Sequence, residues 1–225
     1  MIEEYEAVVL DNDGVLVEPT DTDVIVDAVV ESFEAFDVAI DRSVARRTVD
    51  EDTVPVELAR EHGIDPEALW HYRELRVSFA QQTHVRDGGK SVYDDVAALR
   101  AVDVPLGIVS NNQHATIEFL LAHHDLPAVE TAYGRRPTLA GAANRKPEPV
   151  YIEQALADLD AERALYVGDS EKDIVAADRA GIDSAFLRRD HVADVGLSTE
   201  PTFEVTDFRA LLERLTADGQ INESR

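Results

Sequence analysis

Residues 7–16 read AVVLDNDGVL, and the first four of them form the first apolar run of the chain. Four apolar residues, two of them β-branched, stop abruptly at Asp11, which is typical of a buried parallel strand followed by a turn. Residues two apart point the same way on an extended chain, so Asp11 and Asp13 are expected to face one pocket. That pocket lies at the carboxyl end of the strand, where open α/β sheets bind their ligands.

Three later apolar runs have the same form, and they cover residues 104–109, 164–168 and 184–187. Ser110 follows the first of them and Asp169 the second. Segments with helical spacing lie between and after them, at residues 116–123, 149–159 and 171–181. This alternation predicts an α/β fold with a doubly wound, Rossmann-like parallel sheet.

Residues 17–87 interrupt the alternation, because they contain helical patterns and no convincing strand. Asp65-Pro66 is a good helix start, and apolar residues follow it at helical spacing, namely Leu69, Tyr72, Leu75 and Phe79. Asp87-Gly88-Gly89 is suited to a return hinge, since glycine tolerates large backbone changes. We therefore predict a catalytic core formed by residues 1–16 and 88–225, with an all-helical insert over residues 17–87.

Composition excludes several classes of function. The 225-residue chain has 46 acidic and 21 basic residues, a net charge of −25. So negative a surface repels phosphate backbones and anionic lipid, which argues against nucleic-acid and membrane partners. The absence of cysteine excludes disulfides, thiol nucleophiles and cysteine-ligated metals.

The charge also bears on location. Self-repulsion at −25 opposes a compact fold unless salt screens it, so we expect a halophilic, cytoplasmic protein of a salt-accumulating organism. An ordinary acidic protein is the alternative. The acidic start, Met1–Glu6, does not resemble a basic signal peptide, and no segment is apolar enough to span a membrane.

The strand-end carboxylates predict a divalent cation. Asp11 and Asp13 repel each other when ionised, and a cation relieves that repulsion. Residues 168–173, GDSEKD, add hard oxygen donors of the kind that Mg²⁺ prefers, although turn chemistry alone would also explain them. A calcium-binding EF-hand is excluded, because Gly14 is fourth rather than sixth in its loop and follows a strand.

Ser110 and Lys146 are suited to a phosphate group. A hydroxyl at a helix start, with the backbone N–H beside it, can hold a phosphate oxygen, and a simple helix N-cap is the alternative for Ser110. Only three of the 21 basic residues are lysines, at positions 90, 146 and 172. Lys146 therefore indicates a specific need for a compact point charge, with chance retention as the alternative.

Taken in order, these patterns resemble the four motifs of the haloacid dehalogenase superfamily of phosphohydrolases. The motifs are strand-Asp-x-Asp-Gly, strand-Ser, Lys-Pro and strand-Gly-Asp-x-x-x-Asp, and the resemblance covers residues 5–16 and about 88–190. Within the superfamily the chain is similar to the phosphoglycolate phosphatase and β-phosphoglucomutase group, whose usual continuation matches residues 174–181. The insert at 17–87 stands where that group has a small helical cap.

The resemblance implies a mechanism and a cofactor, Mg²⁺. Asp11 would be the nucleophile and a metal ligand. Asp13 would give its backbone carbonyl to the metal, while its carboxyl group protonates the leaving oxygen and later activates water. The implied activity is phosphatase hydrolysis of a small phosphorylated metabolite through an aspartyl-phosphate.

The remaining positions have supporting roles in the same scheme. Ser110 and Lys146 would hold the phosphoryl oxygens. Asp169 would complete the metal shell, and Asp173 would ligate the metal through water or orient Lys146.

Other chemistries of the superfamily fit less well or stay open. A dehalogenase needs no acid at Asp13, because halide leaves without a proton, and a phosphonatase would need a cap lysine that residues 17–87 lack. A phosphomutase of the β-phosphoglucomutase type remains an alternative. A non-catalytic metal- or phosphate-binding module, or a receiver-like pocket, is less favoured because every motif acid and Lys146 are present.

Substrate choice is expected to lie in the insert. Its basic side chains are generic surface cations as well as candidate contacts to a carboxylate or sugar, and we assign none of them: Arg42, Arg46, Arg47, His71, Arg73 and Arg76. Oligomeric state and the individual substrate are not predicted.

Overall fold

The computed structural model describes residues 5–222, and its centre is a six-stranded parallel sheet of order β3-β2-β1-β4-β5-β6. The strands are β1 (Ala7–Leu10), β2 (Leu106–Gln113), β3 (Thr131–Arg135), β4 (Ala164–Gly168), β5 (Asp183–Leu187) and β6 (Phe203–Val205). The neighbours of β1 are β2 on one side and β4 on the other. The direction in which the chain adds strands therefore reverses at the centre of the sheet. The predicted doubly wound α/β fold is confirmed.

Helices cover both faces of this sheet, which is why its central strands β1 and β4 are apolar and buried throughout. The α-helices after β2 are α5 (His114–His123), α6 (Leu139–Ala143), α7 (Val150–Asp158), α8 (Glu171–Ala180) and α9 (Phe208–Asn222). Two 3-10 helices also occur, Asp94–Ala101 before β2 and Asp190–Val192 after β5. Val8 and Leu10 pack in the core that includes Phe208 of α9, whereas Ala7 and Val9 pack with α7 and α8 on the opposite face. The alternation of side chains along β1 thus serves two cores at once.

Four helices lie between β1 and β2: α1 (Thr22–Glu34), α2 (Arg42–Asp50), α3 (Val56–Glu61) and α4 (Pro66–Arg86). They share an apolar cluster that includes Val29, Phe33 and Leu69. Asp65 caps α4 by accepting a hydrogen bond from the Glu67 amide. The insert is helical as expected, while its boundaries at 17 and 87 stay a prediction. In the part of the chain that is described, no helix is long and apolar enough to cross a membrane.

The buried face of α4 matches the apolar one that its spacing indicates only at Leu69, which is buried. Tyr72, Leu75 and Phe79 are 37%, 49% and 57% exposed, whereas Arg73 and Glu74 are buried. The reason is that α4 turns a polar face towards the ends of β2 and β3, where the side chains find charged and amide partners. Helical periodicity identified the helix but only part of the side that is buried.

Candidate active site

The predicted site residues come together in one cleft of about 570 Å³ at the carboxyl ends of β1, β2 and β4. All six of them line it: Asp11, Asp13, Ser110, Lys146, Asp169 and Asp173. The helical insert forms the opposite wall through residues of α1, α2 and α4, including Arg73 and Gln81. A parallel sheet brings its strand ends to one edge, so residues far apart in sequence meet there.

Three carboxylates converge in this cleft. Oxygen atoms of Asp11, Asp169 and Asp173 lie within 4.8 Å of one another. Burial raises the pKa of Asp11 to about 7, with the Lys146 ammonium acting against the rise. Burial also raises the pKa of Asp169, although a hydrogen bond from His191, 2.7 Å from Asp169 Oδ2, opposes it. Crowded, desolvated acids of this kind are stabilised by a cation.

The donor set fits a small divalent ion such as Mg²⁺, which prefers carboxylate oxygens. The loop after β1 approaches the Asp169 carboxylate so closely that a Cβ on Gly14 would lie 1.9 Å from Oδ2. Gly14 also has a φ of +76°, so this position excludes other side chains on two grounds. The carboxylates of Asp11 and Asp169 are therefore brought within reach of one ion.

Lys146 is bound on several sides at the base of the cleft. Its Nζ lies 3.0 Å from Asp11 Oδ2, 2.5 Å from Asp173 Oδ1 and 2.6 Å from the Tyr166 hydroxyl. Burial acts to lower the pKa of Lys146, but Asp11 and Asp173 outweigh it and raise the pKa above its usual value. The ammonium therefore stays charged, which a contact to phosphate requires.

Asp173 connects Lys146 to the start of α8. Its Oδ2 accepts hydrogen bonds from the backbone N–H groups of Asp169 and Ser170 and from the Ser170 hydroxyl, as in a capping box. Of the two roles considered for Asp173, orientation of Lys146 is the one that these contacts support.

Ser110 is inside β2 and not at a helix start. Gln113 occupies the N-cap position of α5, so the reading of Ser110 as a helix N-cap is wrong. The next residue, Asn111, pairs with the backbone of Lys146, accepting from its N–H at 2.8 Å and donating to its C=O at 2.9 Å. Asn111 thus joins the lysine-bearing loop to β2 beside Ser110.

Asp13 is held by neighbours that the sequence did not indicate. Its Oδ1 accepts from Lys90 Nζ at 2.5 Å and from Asn12 Nδ2 at 2.7 Å, and its Oδ2 accepts from Asn112 Nδ2 at 2.7 Å. The Lys90 side chain is 1% exposed and also donates to Thr20 Oγ1. The carboxyl group of Asp13 is therefore oriented from both oxygens.

Besides Lys90, the sequence analysis missed two side chains of the site, Tyr166 and His191. Tyr166 of β4 donates from its hydroxyl to the Val109 carbonyl at 2.7 Å while accepting from Lys146, and burial raises its pKa well above the usual value. His191 follows β5 and reaches Asp169. Lysine is rare in this chain, and that rarity pointed to Lys90 as much as to Lys146.

Comparison with known proteins agrees with this geometry. Residues 8–187 match the haloacid dehalogenase-like hydrolases. The chain belongs to this family. It is 32% identical over 162 residues to "Pyrophosphatase PpaX" of Anoxybacillus flavithermus (strain DSM 21510 / WK1), a match that covers 68% of this chain and 72% of the relative.

Two solved structures have a fold similar to that of this chain. CbbY from Rhodobacter sphaeroides in complex with phosphate has a TM-score of 0.67 at 20% identity, covering 92% of this chain and 96% of that chain. A putative phosphoglycolate phosphatase from Lactobacillus plantarum has a TM-score of 0.64 at 19% identity, covering 93% and 98%. The predicted membership of the haloacid dehalogenase superfamily is confirmed, and with it the prediction that the chain is a hydrolase.

Proposed function

We propose that this hydrolase is a Mg²⁺-dependent phosphatase that cleaves a small phosphate monoester through an aspartyl-phosphate on Asp11. The observation that carries the proposal is the convergence of the Asp11, Asp169 and Asp173 carboxylates, with Lys146 bound to Asp11 and Asp173 and with the oriented carboxyl group of Asp13 in the same cleft. Phosphoryl transfer depends mainly on positioning and charge neutralisation, and these groups supply both.

The residues of the cleft divide the steps of the proposed reaction among them. A carboxylate oxygen of Asp11 bonds to phosphorus as the ester P–O bond breaks, and Asp13 gives its proton to the departing oxygen. Water then attacks phosphorus, its proton passes to Asp13, and the acyl-phosphate bond breaks to release phosphate. Lys146 and Ser110 hold the phosphoryl oxygens. Mg²⁺, held by Asp11, Asp169 and the Asp13 carbonyl, would neutralise phosphoryl charge.

The helical insert is proposed to act as a cap that selects the substrate. Its helix α4 lines the cleft opposite the strand ends and contacts β2 through Gln81, which donates to Asn112 and Gln113. The substrate is then a small phosphorylated metabolite. The strongly acidic composition supports the proposal that the protein functions in a salt-rich cytoplasm. Because the chain as a whole repels anions, binding of a phosphate ester also requires local positive charge in the cleft.

A phosphate-release screen tests the function. The full chain is incubated with Mg²⁺ and molar KCl on phosphoglycolate, hexose phosphates, nucleotides and pyrophosphate, and inorganic phosphate is measured. Release from at least one small ester is expected. A protein that releases none from any of them contradicts the proposal. Conversion of a sugar 1-phosphate to the 6-phosphate without net release would favour the mutase alternative.

Removal of divalent cations should abolish turnover. With EDTA in excess, we expect phosphate release to fall by at least about 10²-fold, because several kcal/mol of charge stabilisation are lost. Added Mg²⁺ should restore it, whereas added K⁺ at the same ionic strength should not. Binding of Mg²⁺ by calorimetry, and its loss in Asp169→Asn, provide a readout besides activity. Full activity in chelator would remove the metal from the mechanism.

Asp13→Asn should slow both the formation and the hydrolysis of the aspartyl-phosphate. The loss in the first step should depend on whether the leaving group needs a proton. Alkyl phosphates need a proton on the departing oxygen, so their hydrolysis is expected to fall by about 10²–10⁴-fold. With p-nitrophenyl phosphate, whose leaving group needs no proton, a stoichiometric burst of nitrophenol should precede very slow turnover.

The control for this variant is Asp37→Asn, at an exposed position of the insert with φ +59°, a conformation that Asn tolerates. It should leave both substrates unaffected. Equal losses on alkyl and nitrophenyl phosphates, without a burst, would refute the acid–base assignment.

A further inference from the structure

We propose that the cleft contains a second anion-binding subsite, formed by Arg73 of α4 and Arg135 at the end of β3. The preferred substrate would then be a phosphate ester with a second anionic group, either a carboxylate or another phosphate. The inference rests on the proposed function and specifies its substrate class.

The two arginines face the same cleft as the phosphate-handling residues. Arg73 and Arg135 line it together with Asp11 and Lys146, although one arginine comes from the helical insert and the other from the sheet. Both are almost buried, at 7% and 6% exposure. A ligand that reached from the strand ends to this pair would therefore contact both walls of the cleft.

One buried carboxylate is shared between the two guanidinium groups. Arg135 binds Glu74 in a bidentate manner, with Nε 2.6 Å from Oε2 and Nη2 3.1 Å from Oε1. Arg73 donates to the same Oε1 through Nη1. Among the described residues, Glu74 is the one acceptor for Arg73, so its Nε and Nη2 are available to a ligand in the cleft.

The cluster carries more positive charge than its protein partners neutralise. The nearest other carboxylate, Asp52, is 3.8 Å from Arg135 Nη1 but is already bound by Arg145 and Lys172. Burial and the adjacent Arg135 charge lower the pKa of Arg73, even though Glu74 opposes this. An excess of buried positive charge is costly, and an anionic ligand would compensate it. The chain as a whole is strongly acidic, with a net charge of −25, so a local excess of positive charge on this wall differs from its overall composition.

The pair is also held rigidly before any ligand arrives. The Trp70 ring lies 4.9 Å from Arg73 Cζ and 5.3 Å from Arg135 Cζ, and its Nε1 donates to the Thr138 carbonyl at 3.1 Å. Contacts with one fixed ring restrict both side chains. Rigid donors lose less entropy on binding, so they suit recognition as well as structure.

Matched pairs of esters test the subsite in the full-length protein with Mg²⁺ and molar KCl. For the carboxylate arm, phosphoglycolate is compared with 2-hydroxyethyl phosphate; for the phosphate arm, 1,3-propanediol bisphosphate is compared with its monophosphate. We expect kcat/KM to be at least about tenfold higher for the charged member of one pair, the size of one charge-assisted contact. The arm that shows the preference identifies the anion.

The variant Arg73→Gln tests whether Arg73 binds the second anionic group of the substrate or only stabilises the fold. It should reduce kcat/KM on the charged ester at least about tenfold more than on its neutral partner, mainly through KM, and Arg73→Lys should recover part of the difference. Arg60→Gln, an exposed arginine of α3, is the control and should leave the preference intact. If Arg73→Gln does not fold, the comparison of wild type with Arg73→Lys decides.

Each outcome has one meaning. Equal kcat/KM within both pairs, or a preference that survives Arg73→Gln unchanged, overturns the subsite while the phosphatase stands. Failure to release phosphate from any ester, p-nitrophenyl phosphate included, contradicts the proposed function and the inference with it.

Discussion

Asp11→Asn is expected to eliminate phosphatase activity, with a loss of at least about 10³-fold, because an amide cannot form the acyl-phosphate bond. The fold should be unaffected. Lys146 keeps Asp173 and the Tyr166 hydroxyl as partners, so its ammonium is not left unpaired. Burial opposes the charged form of Asp11, and replacing it by a neutral group of the same shape removes that cost.

The measurements for this variant are phosphate release, the melting temperature and mass spectrometry of the enzyme quenched in acid during turnover. Wild type should show a phosphoryl adduct on the peptide that contains Asp11, and the variant should show none. Asp37→Asn again serves as the exposed control. Residual activity within about tenfold of wild type, at an unchanged melting temperature, would refute the nucleophilic role.

The central strands could be predicted from sequence, whereas the edge strands could not. β1 and β4 are covered on both faces and therefore read as unbroken apolar runs. β3 is an edge strand with mixed side chains, TAYGR, and β6 has three residues, so neither produces such a run. β2 extends to Gln113, four residues past its apolar part, because polar side chains there find partners across the cleft and its pairing with β3 is irregular.

The same distinction applies to the site. Carboxylates at strand ends are predictable, since the topology alone brings Asp11 and Asp169 to one edge of the sheet. The contacts of Lys90 with Asp13 and of Arg135 with Glu74 join residues 77 and 61 positions apart, and periodicity contains no information on them. α4 was misjudged for this reason, because its buried face depends on partners from β2 and β3. The rarity of lysine in the chain would have indicated these positions, since Lys90, Lys146 and Lys172 all form ion pairs with carboxylates at the cleft.

Lys146→Met should damage both stability and activity. The change leaves Asp173, whose side chain is fully buried, and Asp11 without their shared cation. Removing one partner of a buried ion pair costs about 3–5 kcal/mol, and losing one donor to the phosphoryl group costs about 10²–10³-fold in kcat. Lys172→Met is the matched control for stability, because Lys172 is 46% exposed and an exposed pair contributes about 0–1 kcal/mol.

The pH dependence distinguishes loss of the ion pair from loss of packing. Burial raises the pKa of Asp11 to about 7 against the opposing Lys146 charge, so the variant should raise it further. An acid whose pKa is higher in the folded than in the unfolded state destabilises the fold fully above its folded pKa. This destabilisation is lost progressively as the pH falls from the folded pKa to the unfolded pKa. In metal-free buffer, the melting-temperature deficit of Lys146→Met should therefore shrink between about pH 8 and pH 5. A deficit that stays constant over this range would mean that Lys146 stabilises the protein by packing and not by charge, and its assignment as the phosphate-binding cation would lose its main support.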